Sequence, residues 1–269
     1  MKRVRPEAFF ELESFAHRDL FAGCECVWQA LGKVATYLDE RLQPNVKAIE
    51  CFGRPLPETV VLWRGKTWRA GYELTAGDAA KGKFRVRLGG EETTEAVVIF
   101  AGAVLWDEAI ALGPGAVVEP GALIKGPTII GAHTEVRQGA YMRGKCMVGD
   151  RCVVGHTTEM KGSVMLDDAK AGHFAYIGDS ILGRNSNLGA GTKLANLKIK
   201  PGSVQIEIDG QLVDTGLRKL GAILGDDVQI GCNAVTNPGA LIGKGSLIFP
   251  VVSVRSGYYE PNSIVRGSG

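Results

Sequence analysis

Residues 112–166 read LGPGAVVEPGALIKGPTIIGAHTEVRQGAYMRGKCMVGDRCVVGHTTEMKGSVML. Aliphatic residues stand at every sixth position: Leu112, Val118, Ile124, Ile130, Val136, Met142, Val148, Val154, Met160 and Leu166. With 45% hydrophobic residues in the chain, an unbroken run of this length in a preset register arises by chance roughly once in three thousand trials. Four residues after most of them comes a small one: Ala116, Ala122, Thr128, Thr134, Ala140, Cys146, Cys152 and Thr158. A period of six fits neither an α-helix nor an alternating strand. It fits the hexad of a parallel β-helix, in which each hexad forms a short strand and a corner. Three hexads close a triangular coil, and the aliphatic side chains stack inside the prism.

Working outward, the register breaks at Asp167–Tyr176 and resumes with Leu182, Leu188 and Leu194. A second interruption, 196–220, contains Ser203–Thr215 alternating around Asp209-Gly210, a hairpin signal. A last run, Leu224, Ile230, Thr236, Ile242 and Ile248, brings the expected total to about six coils. Residues 251–269 read as a non-repeating tail. Residues 1–100 lack the hexad and read as a small α+β domain. There the spacing of Leu20, Cys24, Val27, Leu31, Val34 and Leu38 predicts a helix near 19–42, ended before Pro44. β-rich stretches follow at Thr59–Trp63, Thr67–Leu74, Phe84–Leu88 and Ala96–Phe100. The expected division is therefore 1–100, a β-helix over 101–250, and the tail.

The 37 glycines suit a fold with many tight corners, and the net charge of +2 provides no global field for nucleic acid or a membrane surface. No apolar run is long enough to cross a membrane, and no signal-peptide core follows the charged start. The six cysteines show neither a disulfide framework nor a zinc knuckle, which suggests reduced thiols and a cytoplasmic setting.

Three features carry chemistry. Lys125, Arg143 and Lys161 recur at every third hexad, so they share one corner of three successive coils. This column is either a solvated basic edge, paired with a carboxylate such as Glu159, or a phosphate clamp. His173 lies in the break and can exchange a proton near neutral pH, although a lone histidine is a weak signal. Asn187, Gly189, Gly191 and Asn196 lie in a stretch where Asn187 serves as a corner residue or as a ligand contact, and where glycines permit close backbone approach.

The string Lys161…Ala171-Gly172-His173-Phe174-Ala175-Tyr176-Ile177-Gly178-Asp179…Asn187-Leu188-Gly189-Ala190-Gly191-Thr192…Asn196 resembles the acetyltransferase half of the bifunctional glucosamine-1-phosphate N-acetyltransferase / N-acetylglucosamine-1-phosphate uridylyltransferase family. Leu212-Val213-Asp214-Thr215-Gly216 before Arg218-Lys219, with Ile223-Leu224-Gly225-Asp226, resembles its archaeal type. The resemblance covers about residues 105–250. It implies a left-handed β-helix, a closed homotrimer with sites between prisms, and acetyl transfer from acetyl-coenzyme A to glucosamine 1-phosphate or galactosamine 1-phosphate. It places His173 on the general base. It places Arg143, Lys161, Tyr176, Asn187 and Lys219 on sugar-phosphate contacts, and Ala190, Asn196 and Cys232 on coenzyme contacts. Amides near Gly189–Gly191 would stabilise the oxyanion, and Arg266 is a candidate for a further family arginine.

The family's nucleotidyltransferase domain and its glycine-rich nucleotide loop have no counterpart in the segment before the repeat, so neither uridylyl transfer nor magnesium is carried over. The spacing of His133, His156 and His173 does not suggest zinc, and no metal is expected. Two other readings stay open: an acyltransferase acting on a nucleotide-linked amino sugar, and a non-catalytic trimeric sugar-nucleotide-binding scaffold.

Overall fold

The computed structural model describes residues 2–267 and is a left-handed parallel β-helix of about nine turns. Three parallel sheets form the faces of the prism. Face A runs from Val97–Ile99 through Val117–Val118, Glu135–Val136, Val153–His156, Lys170–His173 and Asn187–Leu188 to Ile264–Val265. Face B runs from Val104–Leu105 through Tyr141–Met142, Glu159–Lys161 and Tyr176–Gly178 to Ser253–Val254. Face C runs from Ile110–Leu112 through Thr128–Ile130, Cys146–Val148 and Val164–Met165 to Gly257–Tyr259.

The hexad residues Leu112 to Met160 fill the interior as expected, but the tenth does not. Val148 pairs with Met165, one position short of three full hexads, so Met165 points inward and Leu166 joins the cluster outside face C. The cause is a shorter corner. Two left-handed residues, Gly144 and Lys145, turn one coil from face B to face C, whereas Gly162 alone turns the next. Every coil from there to the insertion keeps this shorter length: His156 pairs with His173, Glu159 with Tyr176, and Lys170 with Asn187. The expected break at Asp167–Tyr176 is therefore continuous coil, with Ala171 and Ile177 in the interior positions. The helix also begins earlier, at Val97–Ile99, and continues through 251–265, which raises the count from about six coils to about nine. The true insertion is 196–220. Its hairpin Gln205–Ile208/Gln211–Asp214 turns on Asp209 and Gly210, both left-handed, and a Leu197–Lys219 bridge closes its neck.

The segment before the helix occupies three places. Face C carries apolar residues outward as well as inward: Ile129, Met147, Val164, Ile181, Ile223 and Leu241 form one outer column. Phe9, Phe10, Phe21, Trp28, Val34 and Leu38 cover it, together with Val204, Ile206 and Ile208 of the hairpin. The covering helix spans Gln29–Arg41 only. Arg18–Phe21 is a 3-10 turn, Gly23 is left-handed, and the Gln29 side chain accepts from the Glu25 and Cys26 amides at the helix start. Asp226 fastens the cover by accepting from the Arg184 and Glu11 amides at 2.7 Å each.

Val46, Ile49, Cys51 and Leu56 plug the N-terminal end of the prism, where the Asn45 amide group pairs with both backbone groups of Leu112. Tyr72–Thr75, Arg85–Leu88 and Glu91–Thr93 form an antiparallel meander that packs through Val86 and Leu88 on Val61 and Val98 at the first rung of face A. Face B has no such cover among the described residues. Among the described residues, no helix is long and apolar enough to cross a membrane.

Met147→Ala tests whether the N-terminal cover is a true core. Although Met147 points away from the prism, truncating it should cost about 2–5 kcal/mol, as for an interior methionine. Chemical denaturation would show a shifted midpoint, and a loss under about 1 kcal/mol would mean that the cover contributes little.

Candidate functional site

Most of the residues singled out by sequence lie on the two edges of face B, whereas Asn187 stands on face A and Arg266 lies by Phe249. On the edge toward face C, Lys125, Arg143 and Lys161 stack in register, because Ile124, Met142 and Met160 pair beside them. Each cation has its own partner. Lys125 Nζ lies 4.5 Å from the Trp106 ring centroid and 5.6 Å from that of Tyr141. Arg143 donates to Glu159 at 2.8 Å, and this bond holds its guanidinium pKa above the ordinary value. Lys161 Nζ donates to both oxygens of Asp179, at 3.0 and 3.1 Å. Arg143 and Lys161 thus form a carboxylate-paired edge. The Arg143–Glu159 pair is at least one-third exposed on both sides, and such ion pairs are weak.

Asp179, which sequence reading left without a role, is the centre of a network. It also accepts from Asn196 Nδ2, and the Tyr176 hydroxyl donates to Asn196 Oδ1 at 3.3 Å. Gly178 leaves room for this: a Cβ there would meet Asn196 Nδ2 and the Tyr176 hydroxyl at 2.7 Å. The shortened corner sets the geometry, since Asp179 and Asn196 are separated by one shortened coil and stack one above the other. Lys219 reaches the same edge through the neck of the insertion, where the Leu220 amide donates to the Asn196 carbonyl at 3.0 Å. A cavity of about 440 Å³ opens here between Arg143, Lys161, Asp179 and the wall formed by Leu31–Ala35 of the covering helix.

The other edge, between faces A and B, carries His173, Ala190 and Cys232. His173 is exposed and lies one coil below His156, whose Nδ1 is 3.0 Å from the Gln138 carbonyl oxygen. Gly155 permits this stacking, since a Cβ there would fall 1.9 Å from the Gly172 carbonyl oxygen. His173, Asn187 and Ala190 line one cavity of about 270 Å³. Two of the amides near Gly189–Gly191 are already hydrogen-bonded. The Gly189 amide donates to the Ile230 carbonyl at 2.7 Å and the Gly191 amide to the His173 carbonyl at 3.0 Å. The Ala190 amide has no hydrogen-bond partner among the described residues. Arg266 lies by Phe249, 4.9 Å from its ring centroid, and joins neither edge cluster. Among the described residues, no group of three or more His, Cys, Asp or Glu is arranged to hold a metal.

Fold and edges together define a hexad-repeat β-helix with polar clusters on both sides of an uncovered face. Residues 124–216 match the family model described as the GMPPB C-terminal domain. That span includes Arg143, Lys161, His173, Tyr176, Asn187, Ala190 and Asn196, and stops short of Lys219 and Cys232. A bifunctional sugar-1-phosphate nucleotidylyltransferase/acetyltransferase of Sulfurisphaera tokodaii is 39% identical over 106 residues, 39% of this chain and 26% of that protein. The bifunctional protein GlmU of Methanococcus maripaludis is 45% identical over 92 residues, 34% of this chain and 22% of that protein. The Stutzerimonas stutzeri GlmU is 28% identical over 193 residues, 65% of this chain and 39% of that protein. The chain thus spans about a quarter of the length of the first two relatives and 39% of the third. The resemblance to the GlmU-type bifunctional proteins lies in the β-helix, consistent with the acetyltransferase half alone.

The thiols divide in the same way as the core. Burial pushes the Cys146 thiol up to about 12, and burial also raises that of Cys152, whereas Cys232 is exposed. Iodoacetamide at pH 8 should label Cys232 in the native protein and spare Cys146 and Cys152 until denaturant is added, as read by peptide mass spectrometry. Native labelling of Cys146 would contradict the packing described above.

Proposed function

We propose that this protein transfers the acetyl group of acetyl-coenzyme A to the amine of glucosamine 1-phosphate or galactosamine 1-phosphate. The observation that carries this reading is the division of polar groups across face B. Paired cations and the Asp179 network occupy one edge, while a free histidine and a free amide occupy the other. An ammonium ion is not a nucleophile, so His173 takes its proton. The amine nitrogen then bonds to the thioester carbonyl carbon, and the Ala190 amide stabilises the oxyanion. The C–S bond breaks, the proton held by His173 passes to the coenzyme sulfur, and a second proton leaves the new amide nitrogen for solvent. Arg143 and Lys161 hold the sugar phosphate, with Tyr176, Asn187 and Lys219 around the ring. Asn196 and Cys232 lie toward the coenzyme.

The two edges of one prism are separated by the width of face B, so the reading includes a closed homotrimer in which an edge of one copy meets the opposite edge of its neighbour. Reduced thiols and the sugar-1-phosphate chemistry in the relatives' names fit a cytoplasmic role in making cell-envelope precursors.

His173→Ala should lower kcat for thiol release by about 10²–10⁴-fold, while acetyl-coenzyme A still protects Cys232 from alkylation. A mixture of His173→Ala and Arg143→Ala subunits, refolded together, should regain activity that neither shows alone. Wild-type activity confined to a nucleotide-linked amino sugar would replace the acceptor. Absence of both transfer and acetyl-coenzyme A binding would leave a sugar-nucleotide-binding scaffold.

A further inference from the structure

The cavity over His173 has a wall that lies outside the hexad repeat. The segment between Thr75 and Arg85 leaves the meander and descends face A to Glu135. It is stiff. Ala79–Lys81 is a 3-10 turn, closed by the left-handed Gly82, and the Lys83 amide donates back to the Asp78 carbonyl at 3.0 Å. It is also anchored. Glu135 points outward from face A, yet it is only 5% exposed, because its carboxylate accepts from the Ala80 amide at 3.0 Å and from Arg137 at 2.7 Å. A buried carboxylate without partners is costly, so this contact is an element of the fold.

Asp78, Ala80 and Lys81 thereby become one side of the cavity whose other side holds His173, Asn187 and Ala190. Its lining has three cations, Lys81, Arg137 and Lys170, against two acids, Asp78 and Glu135, leaving one positive charge. Arg137 is committed to Glu135. Lys81 pairs with Asp78 across an exposed surface, a bond weak enough to exchange. Lys170 is exposed and has no ion pair among the described residues. Two available ammonium groups lining one cavity suit a compact, multiply charged anion.

We propose that the Asp78–Lys81 loop completes a phosphate-accepting site over His173, with Lys81 and Lys170 as its cations, separate from the Arg143–Lys161 edge. The ligand's identity rests on the transferase reading: the acceptor's single phosphate is already assigned to Arg143 and Lys161, so a phosphate bound here belongs to the coenzyme. The site itself does not rest on it.

The test is calorimetric titration of the intact protein with inorganic pyrophosphate, for wild type, Lys81→Gln, Lys170→Gln and Lys81→Arg. The two glutamine variants should each weaken binding about tenfold or more with unchanged melting temperatures, and Lys81→Arg should retain it. Steady-state kinetics then separates the sources. A raised KM for glucosamine 1-phosphate in the glutamine variants, absent with glucosamine, overturns the assignment to the coenzyme. A raised KM for acetyl-coenzyme A, absent with its 3′-dephosphorylated form, assigns it to the donor. Pyrophosphate binding that is lost in Lys81→Gln supports the site even where wild type shows no acetyl transfer, so the two readings fail separately. Equal binding in wild type and both glutamine variants, or no binding by wild type, overturns the proposal.

Discussion

Stacking of successive coils at the ~4.8 Å spacing of parallel strands is the constraint on which everything else in this molecule rests. It turns the same positions inward in every coil, and these are apolar or small, with Thr236 stacked on Leu194 as a polar example. It also leaves no room above certain glycines. A Cβ at Gly155 would fall 1.9 Å from the carbonyl oxygen of the next coil, and one at Gly189 would fall 2.6 Å from the Cys232 amide. Side chains at a corner are therefore held in columns, and the register of the coils decides which groups meet.

The shortening of the coil by a single residue shows what this means for chemistry. Up to Met160, the corner between faces B and C carries a column of cations. With Gly162 taking the place of Gly144 and Lys145, the following corner places Asp179 beside Lys161 and then Asn196 beside Asp179. The shortening does not interrupt the helix. It converts a repulsive column into a mixed network and draws Tyr176 into it. On the opposite edge the same period places His173 directly below His156.

The N-terminal segments matter because the prism alone is incomplete. Face C is apolar on both sides and would expose Met147, Ile181 and Ile223 without residues 4–42. Those residues also provide Leu31–Ala35 at the wall of one edge cavity, and the meander brings Lys81 to the other. Segments outside the repeat thus border both clusters of candidate site residues, while face B has no cover among the described residues.

Hexad spacing by itself determined the parallel β-helix, its interior from Leu112 to Met160, and the alignment of Lys125, Arg143 and Lys161, because a period of six is incompatible with the alternatives. The hairpin at Asp209-Gly210 was equally legible, since two left-handed residues between alternating strands leave few options. The string around His173 and Asn187 marked the candidate site. The continuity through Asp167–Tyr176 was not legible in a fixed register: a one-residue deletion shifts every later side chain, and Ala171 at an interior position carries little hydrophobic signal. Nor was the double apolar face, although Ile129-Ile130, Met147-Val148 and Val164-Met165 recur once per coil as its trace. Asp179's central place, the committed amides at Gly189 and Gly191, and the approach of Lys81 to His173 were decided by tertiary structure alone. Each depends on contacts between residues at least a full coil apart in the chain, which no local pattern encodes.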